Sequence, residues 1–424
     1  MRAVSFPESS AIFGQQRVAS PSCYGRYFLV FLPCLLCRAR EKQCSSRLLR
    51  EDIKDIKDIK DIKTYKKEVS MPNPFKPTAG KTPPILVGRQ RYIEEYKDSL
   101  VDGPGAPARL CLISGNRGVG KTVLLNALSA EAKKQGWISV DLTARKGFTK
   151  ELTYMLSKRS SRKSLSGISI AGLGAVNWSG DDSPLSLREV LEGTKKKVLI
   201  TLDEVQAADK EEMRELGATI QHLIREDRDI SLLMAGLPGV ISEVLQDEVL
   251  TFLRRAAPMK LGAVSLRAVK NAFVKTFEEG GKKITKEAAE YITEATKGYP
   301  YLIQLIGYQC WRVSKGGIVD EASARIGVNE AMKRLGNTVH IPALEGLSDI
   351  DRSYLAEMAK YDGPVVTSEI AKALFEGNLQ HANVYRSRLI ASGVIEQESY
   401  GKVDFTLPYM RSFLREHGAV ADFM

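Results

Sequence analysis

The central part of this chain is predicted to be α/β, with a parallel sheet carrying helices on both faces. A helical segment and then a three-helix unit with a β-hairpin are predicted to follow it. Three observations predict this. Short apolar runs alternate with amphipathic helical stretches between Ala108 and Gly239, and those runs are apolar at consecutive positions, as strands covered on both faces must be. From Leu266 to about Val313 the pattern is helical with no strand signal. From Leu347 onward three short helical stretches precede an alternating stretch that turns on Ser-Tyr-Gly-Lys.

Taken in order, proline-rich PNPFKPTAGKTPP (Pro72 to Pro84) reads as an extended lead-in with no core of its own. ILVGRQRYIEEYKDSL then places a glycine and an arginine ahead of an amphipathic helix. ARLCLIS (Ala108 to Ser114) is a short buried strand, and Thr122 to Lys134 is the helix that follows. WISVDLTA (Trp137 to Ala144) is a second strand. The serine- and glycine-rich stretch from Ser160 to Pro184 has the composition of an inserted hairpin or mobile loop. KKVLITLDEVQ (Lys196 to Gln206) is an apolar strand ending in two acids, EEMRELGATIQHLIRE a helix, and ISLLMAGLPG (Ile230 to Gly239) another strand. In the last unit DIDRSYLAEMAKY, TSEIAKALF and HANVYRSRLIASGVI are helices, and EQESYGKVDFTLP is a hairpin. Three helices and a hairpin wing make a winged helix.

With 43% hydrophobic and 27% charged residues over 424 positions, the chain has the composition of a soluble globular protein of two or three domains. Its net charge of +11 suggests nucleic acid until it is located. Met1 to Ser70 holds 14 Lys and Arg against 8 Asp and Glu, whereas Glu345 to Met424 holds 8 against 12, so the C-terminal unit is acidic. Four of the six cysteines (Cys23, Cys34, Cys37, Cys44) lie in the N-terminal stretch. No second Cys pair or His pair follows Cys34-x-x-Cys37 at ligand spacing, which argues against zinc. YFLVFLPCLLC (Tyr27 to Cys37) is too short to span a bilayer as a helix and is interrupted by Pro33, and RAREKQ follows where a signal peptide would need small residues. In the repeat DIKDIKDIKDIK the isoleucines drift around a helix and hold no buried face. The working protein is therefore expected to begin near Met71. The expected partition is a disordered or non-native extension over 1–70, a core over 71–262, a helical lid over 263–340 and a winged-helix unit over 341–424.

Gly115-x-x-x-x-Gly120-Lys121-Thr122, between a buried strand and a helix, is a phosphate-holding loop. Gly115, Gly118 and Gly120 let the backbone curl so that the N–H groups of Asn116, Arg117, Val119 and their neighbours converge on one phosphate. Lys121 reaches the β- and γ-oxygens, Thr122 offers a hydroxyl to Mg²⁺, and Val123 continues the helix. The second half of such a site is an acid at a strand end, and VLITLDE supplies it. Asp203 is the metal-side carboxylate and Glu204 the candidate to orient or activate water. ATP and Mg²⁺ are the implied ligands. A guanine reader of the Asn-Lys-x-Asp kind, the further arginine motifs of helicase motors and the substrate groups of a small-molecule kinase are not found.

VGRQRYIEEY, GNRGVGKT, LITLDE, LLMAGLP, GYPYLIQLIG and the winged helix together resemble AAA+/STAND-type P-loop ATPases. The likeness is strongest to the stand-alone ATP-binding proteins of bacteria and to origin-recognition ATPases, and it extends over roughly Met71 to Leu414. The resemblance implies that Val87, Gly88 and Arg89 lie against adenine. It implies that Pro300, in Gly298-Tyr299-Pro300, belongs to a lid over the nucleotide, and that Arg254 or Arg255 senses the γ-phosphate. Two departures stand out. The strand from Ile230 ends in Gly-Leu-Pro where many AAA+ enzymes place a polar sensor, and the lid lacks Gly-x-x-Arg. With fewer groups to stabilise charge in transfer, slow turnover is expected. The function expected is a cytoplasmic Mg²⁺-ATP-dependent switch, in which ATP closes lid and winged helix onto the core and slow hydrolysis reopens them. It would act on a protein partner or by self-association, without a membrane role. The alternative is an ATP-regulated DNA-binding protein reading through His381, Asn383, Arg386 and Arg388, weakened by the acidic charge of that unit.

Overall fold

Five runs of apolar residues pair into one parallel sheet. The computed structural model describes residues 72–78, 80–160 and 185–418. The N-terminal cysteines, the Asp-Ile-Lys repeat and the serine-rich insertion lie outside the described residues. Helix α1 (Gln90–Asp102) leads to strand β1 (Leu110–Ser114), α2 (Lys121–Lys134) and β2 (Ile138–Thr143). Then come α3 (Phe148–Ser160), α4 (Leu187–Gly193), β3 (Val198–Asp203), α5 (Lys210–Arg225), β4 (Ile230–Gly236), α6 (Pro238–Gln246) and β5 (Ala257–Lys260). The strand order is β2-β3-β4-β1-β5.

The period of two explains why β1, β3 and β4 have no exposed face, whereas β2 and β5 at the sheet edges alternate. Cys111 and Ile113 of β1, Leu199 of β3 and Leu233 of β4 pack on one side with Tyr96 and with Leu124 and Leu128 of α2. Leu112, Ile200, Leu202 and Leu232 pack on the other side against Phe148, Leu152, Leu216 and Ile220 from α3 and α5. Strand β5 is not evident in the sequence. It is four residues long and contains Pro258, and pairing with β1 decides its conformation, Leu112 opposite Pro258 and Ile113 opposite Met259. A proline is tolerated there because β5 is an edge strand.

The next elements are α7 (Leu266–Glu279), β6 (Lys283–Ile284), α8 (Lys286–Ala295), α9 (Pro300–Val313), β7 (Ile318–Val319) and α10 (Glu321–Leu335). The helical reading of this segment missed β6 and β7, a two-residue parallel pair too short to display a period. A π-helical turn over Gly336–His340 leads into α11 (Ile341–Glu345). The chain then forms α12 (Asp349–Ala359), β8 (Val365–Val366), α13 (Thr367–Leu374), α14 (Leu379–Ala391), β9 (Ile395–Ser399), β10 (Lys402–Phe405) and α15 (Met410–His417). Strand β10 lies antiparallel between β8 and β9. All described residues fall in one structural unit, Ser70–Met424.

The lead-in segment has no core of its own, but one of its side chains joins the core of later elements. Phe75 is buried among Phe273 and Phe277 of α7, with ring centroids at 5.9 and 5.0 Å, and Phe277 stacks on Trp311 of α9. Gly307 makes room for it, since a Cβ there would sit 2.4 Å from the Phe75 ring. A lone aromatic between prolines carries no period, so its burial was invisible along the chain.

Candidate functional site

The loop over 115–120 joins the end of β1 to the start of α2. Gly118 (φ +73°) and Gly120 (φ +92°) are left-handed, which turns the loop back on itself as an L side chain would rarely permit. A Cβ on Gly115 would lie 2.6 Å from the Leu261 carbonyl. Lys121 is buried at the first position of α2, and its Nζ donates to the carbonyls of Gly115 (2.9 Å) and Asn116 (3.1 Å). Burial lowers its pKa, while Glu204 and Asp203 pull it back up. The ammonium makes no ion pair among the described residues.

Asp203 reaches the same helix start from β3. That strand is not next to β1, since β4 lies between β1 and β3. Thr122 Oγ1 donates to Asp203 Oδ2 at 2.5 Å, and the Glu204 amide donates to Oδ1 at 2.9 Å. Glu204 is left-handed (φ 56°), exposed, and accepts a hydrogen bond from Gln206. A non-glycine residue held at positive φ beside a phosphate loop is the kind of strain that collects at functional sites. A Cβ on Gly236, at the end of β4, would lie 2.4 Å from Val205 Cγ2 and 3.5 Å from Gln206 Oε1. Gln206 is thus the polar side chain closest to the strand end that the sequence shows as Gly-Leu-Pro.

A cavity of about 300 Å³ opens over the loop. Of the residues singled out in the sequence, Val87, Arg89, Arg117 to Val123, Glu204 and Pro300 line it. Gly88 is left-handed beside Val264 and lines neither cavity. Arg89 is not free to meet a ligand with its charge. Its guanidinium is buried, donates to the carbonyls of Gly262 (2.6 Å) and Val119 (3.4 Å), and has its pKa lowered by burial. Gly115 and Asn116 line a second, larger cavity of about 1000 Å³ on the other side of the loop. Arg254 lines that second cavity and donates to the Leu245 carbonyl at 2.8 Å, whereas Arg255 is exposed and lines neither. Both arginines end the 3₁₀ turn Thr251–Arg255, which precedes β5.

Two contacts reach the phosphate loop from the later parts of the chain, and sequence reasoning found neither residue's role. Tyr299, at the N-cap of α9, is buried and donates from its hydroxyl to the Arg117 carbonyl at 2.8 Å. Desolvation raises its pKa, so it remains a donor. Asn116 donates to Glu396 of β9 at 3.2 Å. The arginines of α14 that the sequence offered for a DNA groove are bonded within the chain. Arg388 pairs with buried Asp351 at 2.9 Å, and Arg386 donates to Gln397 at 2.8 Å. His381 packs its ring on Phe375, and Asn383 is exposed.

This donor set fits a nucleotide phosphate with Mg²⁺. A buried cation held by carbonyl dipoles, at a helix start behind a glycine turn, is stabilised by an anion. Mg²⁺ takes one or two protein oxygens and leaves its other positions to phosphate and water, which suits the hydroxyl of Thr122 and the carboxylate of Asp203. Among the described residues no group of three or more His, Cys, Asp or Glu assembles as a metal site of the all-protein kind.

Comparison with known proteins agrees with the geometry. Residues 85–234 match the AAA ATPase domain family, and residues 337–414 match a domain of unknown function (DUF8462). The fold is similar to that of the Walker-type ATPase PABY2304 of Pyrococcus abyssi, with 19% identity, a TM-score of 0.56, and 78% of this chain and 96% of that chain covered. It is also similar to the Aeropyrum pernix ORC2 protein, solved in ADPNP-ADP complexes, with 15% identity, a TM-score of 0.54, and 80% and 96% covered. No curated protein sequence matches the chain. No helix among the described residues is long and apolar enough to cross a membrane.

Proposed function

We propose, on the premise that residues 85–234 are an AAA ATPase domain, that the chain is a slow Mg²⁺-ATP-dependent conformational switch. One observation carries the reading: the phosphate loop is hydrogen-bonded by both of the later parts of the chain, through Tyr299 and through Glu396. Whatever occupies the loop thereby bears on the packing of the lid and of the C-terminal unit, which we read as a winged helix.

In this reading Lys121 leaves the carbonyls of Gly115 and Asn116 to neutralise the β- and γ-oxygens. Thr122 and Asp203 would hold Mg²⁺, which would supply charge neutralisation to the phosphates. Glu204 orients the attacking water and accepts its proton. Val87 and Pro300 border the base, and Arg89 braces the loop through Val119 rather than touching phosphate. Arg254 is bonded to the Leu245 carbonyl, Arg255 lies outside both cavities, and β4 ends in Gly236 with no polar side chain. Few groups remain to stabilise the transition state, which supports slow turnover over motor activity. The partition into core (71–262), lid (263–340) and winged-helix unit (341–424), a cytoplasmic location, and a protein partner or self-association belong to the same proposal.

Calorimetry with ATP and ADP on the wild type and on Lys121→Ala, with sedimentation in each state, tests this. The wild type should bind both nucleotides and change its sedimentation between them, and Lys121→Ala should bind neither. Wild-type affinity in Lys121→Ala, or identical sedimentation in ATP and ADP, would sink the switch.

A further inference from the structure

The outer wall of the smaller cavity comes from residues that precede the AAA ATPase match, which begins at residue 85. Lys76, Pro77, Thr78, Gly80 and Lys81 line it. This strap is anchored at both ends to different parts of the fold. On the lid side Phe75 is buried in the aromatic cluster, Asn73 Nδ2 donates to the Tyr308 carbonyl at 3.0 Å, and the Lys76 amide donates to Gln304 Oε1 at 3.0 Å. On the core side Asn126 Nδ2 donates to the Gly80 carbonyl at 3.0 Å, and a Cβ on Gly80 would be 3.7 Å from Thr122 Cγ2. Gly80 and Lys81 are therefore held against the first turn of α2, beside the hydroxyl already placed at the metal.

The two strap lysines differ. Lys76 Nζ is occupied by the Asn73 carbonyl at 2.8 Å. Lys81 also lines the cavity; it is exposed, and its side chain has no hydrogen-bond or ion-pair partner among the described residues. The cavity wall is divided in the way a nucleotide is divided. Ile85, Val87, Val264 and Ile303 offer an apolar face for a base, while Lys81, Arg117 and Lys121, the last at the start of α2, are the basic residues beside the loop in the same lining.

We propose that Lys81 is a second phosphate-binding cation of this site, and that the described strap residues 75–78 and 80–81 must detach before a bound nucleoside diphosphate or triphosphate can leave. The inference rests on the ATP-binding reading above. A charge-assisted contact to phosphate is lost when the ammonium is removed, and release is slowed because two anchors in different parts of the fold must open together.

The test uses the full chain with N-methylanthraniloyl-ADP, titrated at equilibrium and then chased with excess ADP. Lys81→Ala should weaken the labelled ADP about ten-fold, a loss typical of one hydrogen bond to a charged group, and leave competition by adenosine unchanged. Lys81→Arg should restore most of the affinity. Phe75→Ala should accelerate release about ten-fold or more, and Asn126→Ala, an exposed change that leaves the lid core intact, should accelerate it in the same direction. ADP affinity within two-fold of wild type in Lys81→Ala overturns the phosphate role. A lower melting temperature with unchanged release in Phe75→Ala and Asn126→Ala makes the strap a buttress of the lid and overturns the gate. Failure of the wild type to bind the labelled ADP at all would remove the ATP-binding reading instead, a distinguishable result.

Discussion

Gly118→Ala tests how the lid holds the phosphate loop. Two costs arise at one methyl. The residue is left-handed (φ +73°), a conformation that costs an L residue about 1–2 kcal/mol. The new Cβ would also lie 1.9 Å from the Tyr299 hydroxyl oxygen and 2.5 Å from its Cζ. Tyr299 is only 4% exposed and cannot swing into solvent, so it must withdraw with the start of α9. Its 2.8 Å bond to the Arg117 carbonyl is then lost, about 1 kcal/mol, and overpacking adds roughly 1–3 kcal/mol. The expected destabilisation is about 3–6 kcal/mol. Urea unfolding of Gly118→Ala, Tyr299→Ala and the double variant separates the two costs. Tyr299→Ala removes the obstacle, so the double variant should recover about 2 kcal/mol relative to the sum of the singles, leaving only the backbone term. Additivity within about 0.5 kcal/mol would refute the idea that the lid tyrosine is wedged against the loop.

Glu204→Gln should retain ATP and stop hydrolysis, because the amide fits the position but takes no proton; phosphate release at the wild-type rate would show that Glu204 does no chemistry. His340 predicts a pH dependence. Burial lowers its pKa from 6.5 to about 4, its Nε2 bonds the Pro408 carbonyl at 2.9 Å, and its Nδ1 has no partner. The neutral form is favoured in the fold. Below pH 6.5 the unfolded chain takes a proton that the native chain refuses, so stability falls as pH drops towards 4. From pH 7 to pH 5 the loss should be about 2 kcal/mol by urea unfolding, and a His340→Gln variant with the same pH slope would refute it. For DNA, Arg386, Arg388 and Arg411 are bonded within the chain, and Lys402 is the one of the four basic groups near the hairpin with no partner among the described residues. Binding should be weak, with a slope of log affinity on log salt near −0.9, and nanomolar sequence-selective binding at about 150 mM salt would overturn the switch reading.

Local chemistry was legible along the chain where a fixed spacing or a period carries it. The glycines and lysine of residues 115–122 declare a phosphate loop because their spacing is a property of one turn and one helix start. The buried strands β1, β3 and β4 declare themselves because burial on both faces removes polar residues from consecutive positions. Asp203 and Glu204 were legible as a strand end carrying two acids. What the tertiary structure decided are the relations between segments far apart in sequence. That Asp203 meets Thr122 across an intervening strand depends on strand order, which no local pattern encodes. Arg89 and Arg388 looked like ligand-reading cations, and the fold gives both to intramolecular partners, since a buried carbonyl or carboxylate left unpaired costs more than a surface contact gains. Phe75, Tyr299 and Glu396 carried no period or motif. Each acquires its place only through contacts with α7, with the phosphate loop or with the C-terminal sheet, because the pocket that receives a single side chain is made by residues far away along the chain.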